Sequence, residues 1–168
     1  EQHGEQVLAL KPDALQHAVY KSCSAKAHIV EVDEREADKR ALLNLGHTFA
    51  HAFEAAAEYD GRLLHGEAVA AGMGLAFDLS VDLGLCAQQA ADRCKSHLRA
   101  IGLPSDQASL PAGNAPAEIL LGHMKNDKKT RNGAMHFVLA RAIGNAFVHG
   151  DVPEAVVTKL LERGFDAV

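Results

Sequence analysis

The feature that most constrains this chain is the segment of residues 40–54, whose side chains divide between two chemically different faces of a predicted helix. Its apolar residues, spaced three and four apart as on one side of an α-helix, are Leu42, Leu45, Phe49 and Phe53. Its polar residues, within an arc of about 80° on the other side, are Arg40, Asn44, His47, His51 and Glu54. Because Arg, Asn and His bind metals, anions and substrates, this predicted helix combines a core face with a binding face.

Length and charge bound the class of protein. The chain has 168 residues, enough for a real core, and we expect residues 1–168 to form a single helical domain. The formal net charge of −5 argues against nonspecific nucleic-acid binding. No apolar run predicts a membrane span, and no signal peptide opens the sequence. We therefore expect a cytoplasmic protein without nucleic-acid or membrane partners.

Three cysteines give information on the compartment. Cys23, Cys86 and Cys94 form no CxxC pair and leave an odd count. They are predicted to be small core residues of a protein in a reducing compartment.

The order of periodic segments predicts an orthogonal, mainly α domain with one small β-hairpin near the C-terminus. Helices are expected at residues 12–30, 40–57, 66–83, 87–101, 115–125 and 153–164, and the hairpin at residues 135–149. Segment 66–83 is rich in Ala and Gly, which predicts a central helix that packs closely on its neighbours. Strands and helices do not alternate, and neither a GxGxxG nor a Walker-type loop occurs, so no parallel nucleotide-binding sheet is encoded here.

Histidines form the first candidate site. His47 and His51 stand four positions apart, so both face one point beside a helix, a common metal-binding spacing. The pattern HTFAH lacks the Glu that follows the first His in HExxH metalloproteases. His65 is a third candidate because it lies near the start of the next predicted helix, where the helix dipole favours the neutral, metal-binding ring. The alternative is a set of structural polar residues that hydrogen-bond to their neighbours.

Cations form the second candidate site. A basic run before the hairpin contains Lys125, Asp127, Lys128, Lys129 and Arg131. Such a run is either a solvated loop or a clamp on an anionic ligand, in which Lys acts as a point charge on phosphate or carboxylate. The first long helix has an apolar stripe made of Leu15, Val19, Cys23, Ile29 and Val30. Lys26 lies on the same stripe, where either its stem reaches the surface or its ammonium has an internal role.

Three motifs occur together in this chain. They are LNLGHTFAHAFE at residues 43–54, LHGEAVAAGM at residues 64–73 and Asp-Lys-Lys at residues 127–129. Together with residues 33–36 upstream, they resemble the C-terminal, mostly helical domain of the 3-dehydroquinate synthase family, from residue 10 to the end.

The resemblance implies an activity. The anionic sugar phosphate 3-deoxy-arabino-heptulosonate 7-phosphate would be converted to 3-dehydroquinate with loss of phosphate, a lyase step of the shikimate pathway to aromatic amino acids. It also implies NAD, which transiently oxidises a ring hydroxyl, and a divalent metal, zinc or cobalt, which polarises the substrate.

Matched residue by residue, the resemblance assigns His47 and His65 to the metal. It assigns substrate contacts to Lys26, Arg40, Asn44, His51 and Lys128, with Lys128 preferred to Lys129. Glu36 matches an acidic position of the site. Spacing by itself pairs His47 with His51 on the metal, whereas the resemblance leaves His51 to hydrogen bonding and proton transfer.

The chain departs from the family pattern at two points. Ala50 stands where the family usually has Gly. Residues 1–12 lack the family's third metal ligand, a Glu in a Glu-x-x-Lys-type segment, and the sequence begins without Met. We expect a piece of a longer protein, homodimeric when whole, whose N-terminal NAD-binding domain and third metal ligand lie outside it. We therefore predict that this chain by itself binds no NAD, holds metal weakly and has no cyclase activity.

Two other functions fit the sequence. One is a related sugar-phosphate cyclase that makes deoxy-inosose or valiolone-type rings, although such enzymes vary at the substrate-facing positions. The other is a noncatalytic helical module that binds a partner, which is disfavoured because buried polar groups without a function are costly to keep.

Overall fold

A computed structural model describes residues 1–33, 39–110, 115–127 and 135–166. The α-helices are α1 (Gly4–Leu8), α2 (Pro12–Val32), α3 (His47–Ala56), α4 (His65–Asp82), α5 (Gln88–Ala100), α6 (Ala117–Asp127) and α7 (Glu154–Asp166). Short 3-10 helices span Lys39–Asn44 and Gln107–Ser109, and the strands are β1 (Phe137–Ala142) and β2 (Asn145–His149). The predicted mainly α fold with one hairpin is confirmed.

The chain divides into two compact units, Glu1–Leu43 and Asn44–Val168. In the first unit, α2 begins with Pro12 in its first turn, where the missing N–H of proline costs nothing. The expectation of one domain over residues 1–168 stays a prediction.

The second unit is organised around α4, which packs against α3, α5, α7 and β1. Most of its residues are buried, which confirms the predicted central helix. Phe49 and Phe53 of α3 are fully buried in the core together with Leu79 of α4. Phe137 of β1 joins them, with its ring centroid 5.4 Å from that of Phe49. Burial of these rings supplies much of the hydrophobic stabilisation of the unit.

The hairpin is antiparallel and lies directly on α4. Its register runs from Phe137 opposite His149 to Ala142 opposite Asn145, with an irregularity after Ala140. The N–H of Ala140 donates to the Ser80 hydroxyl of α4 at 3.1 Å, so this polar group of β1 is satisfied inside the core.

The prediction of a single helix over residues 40–57 is wrong. The chain forms the 3-10 helix first, turns at Gly46 and starts α3 only at His47. Gly46 has a φ of +83°, a left-handed conformation that favours glycine. A Cβ there would lie 2.5 Å from the backbone nitrogen of Met73, so the chain passes too close to α4 for a side chain. Close packing on α4 therefore interrupts the helix that the periodicity predicts.

The prediction of core cysteines is wrong for Cys23, which is exposed on α2. Cys86 and Cys94 are half-buried and pack beside Phe77. Cys23 was predicted to be buried because its spacing puts it on the apolar stripe of α2. Spacing does not show whether another element covers that stripe. No helix in the described ranges has both the length and the apolar character needed to cross a membrane.

Candidate metal and substrate site

Three histidines meet where α3 and α4 begin. His47 opens α3, and His51 follows one turn later with its ring centroid 5.7 Å away. His65 opens α4, and its ring centroid lies 5.5 Å from that of His47. His47 thus stands between the two other rings. The tertiary structure brings together the pair that spacing predicts and the pair that the resemblance implies.

Local sequence explains why His65 has a fixed backbone position. The backbone N–H of Leu64 donates to the Glu67 carboxylate at 3.0 Å, which is the contact that an acidic residue makes in the first turn of a capped helix. This bond holds the first turn of α4, and an acidic side chain there also suits the helix dipole. The ring of His65 itself is exposed.

Both candidate metal ligands have an oxygen atom beside Nδ1. The Nδ1 atom of His65 lies 2.9 Å from Oε1 of Glu54, a residue in the last turn of α3. The Nδ1 atom of His47 lies 3.4 Å from the carbonyl oxygen of Leu45. Metal-binding histidines commonly donate one ring N–H to a carboxylate or carbonyl and bind metal through the other nitrogen.

The electrostatic surroundings favour a neutral His47. Burial lowers its pKa below the ordinary value of 6.5, and the nearby His51 and His65 lower it further. The contact with the Leu45 carbonyl and the charge of Glu54 oppose this shift without reversing it. Since the neutral imidazole is the form that binds metal, the environment keeps His47 ready for that role.

The donor set fits a divalent metal in part. Imidazole nitrogens suit zinc and cobalt, and two of them are present on neighbouring helix starts. In the part of the chain that the structure describes, no cluster of three or more His, Cys, Asp or Glu side chains is arranged to hold a metal ion. Catalytic zinc normally has three protein ligands, so a complete site needs a further ligand beyond this pair.

The remaining predicted site residues are distributed along the chain. Asn44 ends the first 3-10 helix, is exposed and opens the second unit. Arg40 belongs to the first unit, is half-buried, and its backbone N–H donates to Asp33 at 2.9 Å. Lys26 lies on α2, also in the first unit. It is exposed, so its ammonium is not buried inside this unit.

Several predicted site residues fall outside the described residues. They are three cations, Lys128, Lys129 and Arg131, of which Lys128 was assigned to the substrate, and the acidic Glu36. Helix α6 ends at Asp127, immediately before Lys128.

Sequence reasoning placed Glu54 on the polar face but gave it no role. Its partner, His65, is eleven positions further along the chain and on another helix. The available signal was the position of Glu54 one turn after His51 and two turns after His47, which puts it on the same side of α3.

The sequence of this chain is similar to a known protein family. The profile of the family described as 3-dehydroquinate synthase C-terminal matches residues 1–130. The chain belongs to this family.

Individual relatives agree with the family assignment. The chain is 55% identical over 155 residues to a 3-dehydroquinate synthase of Cereibacter sphaeroides, covering 92% of this chain and 42% of the relative. It is 52% identical over 146 residues to the 3-dehydroquinate synthase of a Ruegeria species, covering 87% of this chain and 39% of the relative. The chain thus spans about two fifths of the length of these curated relatives.

Solved structures show the same fold. A 2-epi-5-epi-valiolone synthase from Streptomyces hygroscopicus subsp. jinggangensis, with NAD⁺ and Zn²⁺ bound, superposes with a TM-score of 0.79 at 24% identity. The match covers 99% of this chain and 46% of that one. A 2-deoxy-scyllo-inosose synthase, complexed with carbaglucose-6-phosphate, NAD⁺ and Co²⁺, has a TM-score of 0.71 at 22% identity over 84% of this chain and 40% of its own.

Proposed function

We propose that this chain is the metal- and substrate-binding part of a cytoplasmic 3-dehydroquinate synthase. The whole enzyme would convert 3-deoxy-arabino-heptulosonate 7-phosphate to 3-dehydroquinate with loss of phosphate, in the shikimate pathway to aromatic amino acids. The observation that carries the proposal is the meeting of His47, His51 and His65 at the starts of α3 and α4. This contact places the histidines of the two sequence motifs, residues 43–54 and 64–73, next to each other in a chain that belongs to this family.

His47 and His65 would hold the metal, zinc or cobalt. When bound, a divalent metal supplies positive charge that polarises a substrate hydroxyl and carbonyl. The chain's own contribution is to present two imidazoles from two packed helix starts. The lowered pKa of His47 supports this role, because burial favours its neutral ring.

The substrate would be bound by Lys26, Arg40, Asn44, His51 and Lys128. Cations attract the carboxylate and phosphate groups of an anionic sugar acid, and the planar guanidinium of Arg40 suits a bidentate contact. His51 stands beside His47, with the two ring centroids 5.7 Å apart, and its imidazole would hydrogen-bond a substrate hydroxyl and move its proton.

NAD would be bound by another part of the enzyme. The chain spans about two fifths of its curated relatives, and its helices and one hairpin offer no dinucleotide-binding sheet among the described residues. We propose that an N-terminal domain supplies NAD binding and the third metal ligand, that the whole enzyme is a homodimer, and that the chain by itself is inactive.

A related sugar-phosphate cyclase is the second candidate. It is favoured by the close fold similarity to the valiolone and inosose synthases, with TM-scores of 0.79 and 0.71. The higher identity to 3-dehydroquinate synthases, 55% against 24%, favours the first candidate.

A product assay on the proposed full-length synthase tests the choice. With NAD and Zn²⁺ supplied, we expect 3-dehydroquinate and inorganic phosphate from the heptulosonate phosphate, and no valiolone- or inosose-type product from other sugar phosphates. The reverse preference would assign the chain to a sister cyclase. The 168-residue chain assayed in parallel is expected to show no turnover.

A further inference from the structure

Glu54 is an acidic residue that forms a contact between two helices. Its Oε1 atom lies 2.9 Å from Nδ1 of His65, a normal hydrogen-bond distance. The two residues are separated by eleven positions and belong to α3 and α4. The contact therefore depends on the packing of the two helices.

The two side chains of this contact differ in burial, so Glu54 is the fixed partner and His65 is the partner whose orientation it can restrict. The Glu54 side chain is only 14% exposed, whereas that of His65 is 59% exposed. Glu54 follows the fully buried Phe53 and is anchored in the last turn of α3. An exposed His without a partner would sample several rotamers, and a bond to an anchored carboxylate restricts that freedom.

Helix electrostatics do not account for this carboxylate. An acidic side chain in the last turn of a helix faces the negative end of the dipole, which is unfavourable for α3. The positive end of α4 is already served by Glu67, which accepts from the N–H of Leu64. A role toward the His65 ring explains the placement of Glu54 better than a role in either helix.

The contact selects one form of the neutral ring. A carboxylate only accepts hydrogen bonds, so Nδ1 must carry the hydrogen and donate it to Glu54. The other tautomer would bring the lone pair of Nδ1 against the carboxylate oxygen at the same distance. With the hydrogen on Nδ1, the lone pair of the neutral ring is on the other nitrogen, Nε2.

We propose that Glu54 is a positioning residue: it holds His65 in the tautomer and orientation that present Nε2 to a divalent metal shared with His47. This inference rests on the proposed function, which makes His47 and His65 metal ligands. The Leu45 carbonyl beside Nδ1 of His47 is the corresponding contact on the other ligand. The two rings, with centroids 5.5 Å apart, then each have an oxygen acceptor beside Nδ1.

The first test reads the tautomer directly. Two-bond proton–nitrogen correlation NMR on the metal-free 168-residue chain distinguishes the ring nitrogen that carries hydrogen, and a His65→Gln variant assigns the signals. We expect the hydrogen of neutral His65 on Nδ1. In Glu54→Gln, whose amide can turn either an acceptor or a donor toward the ring, we expect a mixed or reversed population.

The second test measures metal affinity by competition of Zn²⁺ with a coloured chelator. We expect Glu54→Gln to weaken Zn²⁺ binding by about 10–100-fold, as is typical when the partner of a metal-binding His is changed. The matched control is Glu67→Gln, which alters a carboxylate two positions from His65 but retains helix capping. It should leave tautomer and affinity as in the wild type. If Glu54→Gln loses its helical circular dichroism, Glu54→Asp, which keeps the charge but shortens the reach, is expected to show both effects more weakly.

The outcomes separate the two proposals. A wild-type His65 with hydrogen on Nε2, or a Glu54→Gln variant with unchanged tautomer or unchanged affinity, would overturn the role of Glu54. If the wild-type chain binds no Zn²⁺, the proposed metal site in this chain fails, and the tautomer measurement still decides whether Glu54 orients His65.

Discussion

The backbones of Gly46 and Gly72 lie in direct contact, so neither position has room for a side chain. A Cβ on Gly72 would overlap the carbonyl oxygen of Gly46, and one on Gly46 would lie 2.8 Å from the carbonyl carbon of Gly72. This contact sets how closely α3 approaches α4. It thereby sets the distance between His47 and His65, which open the two helices.

Gly72→Ala is expected to destabilise the protein. The added methyl meets backbone atoms of Gly46, which cannot rotate away as a side chain can, so α3 must shift from α4. We expect a loss of about 1–3 kcal/mol in the free energy of unfolding, measured by urea denaturation. The control is Gly122→Ala in α6, where nothing lies near the added Cβ. There the change should stabilise by about 0.5–1 kcal/mol, because Gly costs this much in a helix. Equal effects at the two positions would contradict the close-contact argument.

Single histidine variants separate the two possible metal pairs. If His47 and His65 bind the metal, alanine at either should cost more affinity for Zn²⁺ than the loss of about 10–100-fold typical of a changed neighbouring partner. His51→Ala should change affinity little, although its ring centroid is 5.7 Å from that of His47, close to the 5.5 Å of His65. Chelator competition on the chain measures all three. A large loss at His51 with none at His65 would restore the pair that spacing predicts.

The thiol of Cys94 is expected to react slowly with alkylating agents. Burial raises the pKa of its thiol above the ordinary value of 9.0, and the negative charge of Asp78 raises it further, against the opposing effect of Lys95. A raised pKa leaves less reactive thiolate at any pH below it, so alkylation of Cys94 should accelerate only at higher pH. The exposed Cys23 should be alkylated first. Peptide mass spectrometry after timed iodoacetamide labelling, with Cys94→Ser as the control, measures the order. Labelling of Cys94 before Cys23 would contradict the protection of its thiol by burial.

Ser80→Ala is expected to weaken the attachment of the hairpin to α4. The Ser80 side chain is fully buried, donates to the carbonyl of Ala76 at 2.6 Å and accepts from the N–H of Ala140 at 3.1 Å. Removal of the hydroxyl leaves a buried N–H of β1 without its acceptor, which costs about 1–3 kcal/mol. Urea denaturation should show the loss, and the amide of Ala140 should exchange faster. Thr158→Ala removes a similar bond to the preceding turn at the exposed Glu154 carbonyl and should change stability by less than about 0.5 kcal/mol.

Helix positions could be predicted well where local signals are strong. Pro12 marks the start of α2, and the Ala- and Gly-rich segment that becomes α4 begins at His65, one position before the predicted start. The change to period-two spacing predicts the hairpin, whose strands are β1 and β2. These features depend on neighbours a few positions away, which the sequence displays directly.

Local periodicity failed where distant segments compete with it. Leu42 and Leu45 continue the apolar spacing of Phe49 and Phe53, yet the helix is interrupted because Gly46 must pass against α4. Cys23 has the spacing of a core residue and is exposed.

The sequence by itself determined the helical class, the family and the identity of the candidate ligands, because these are carried by residue types at short spacings. Only the tertiary structure decided that His65 reaches His47 and that Glu54 bonds to His65. Both contacts join residues on different helices, and their distances follow from how tightly α3 packs on α4 at Gly46 and Gly72. Packing of this kind is a property of whole surfaces, so no window of sequence contains it.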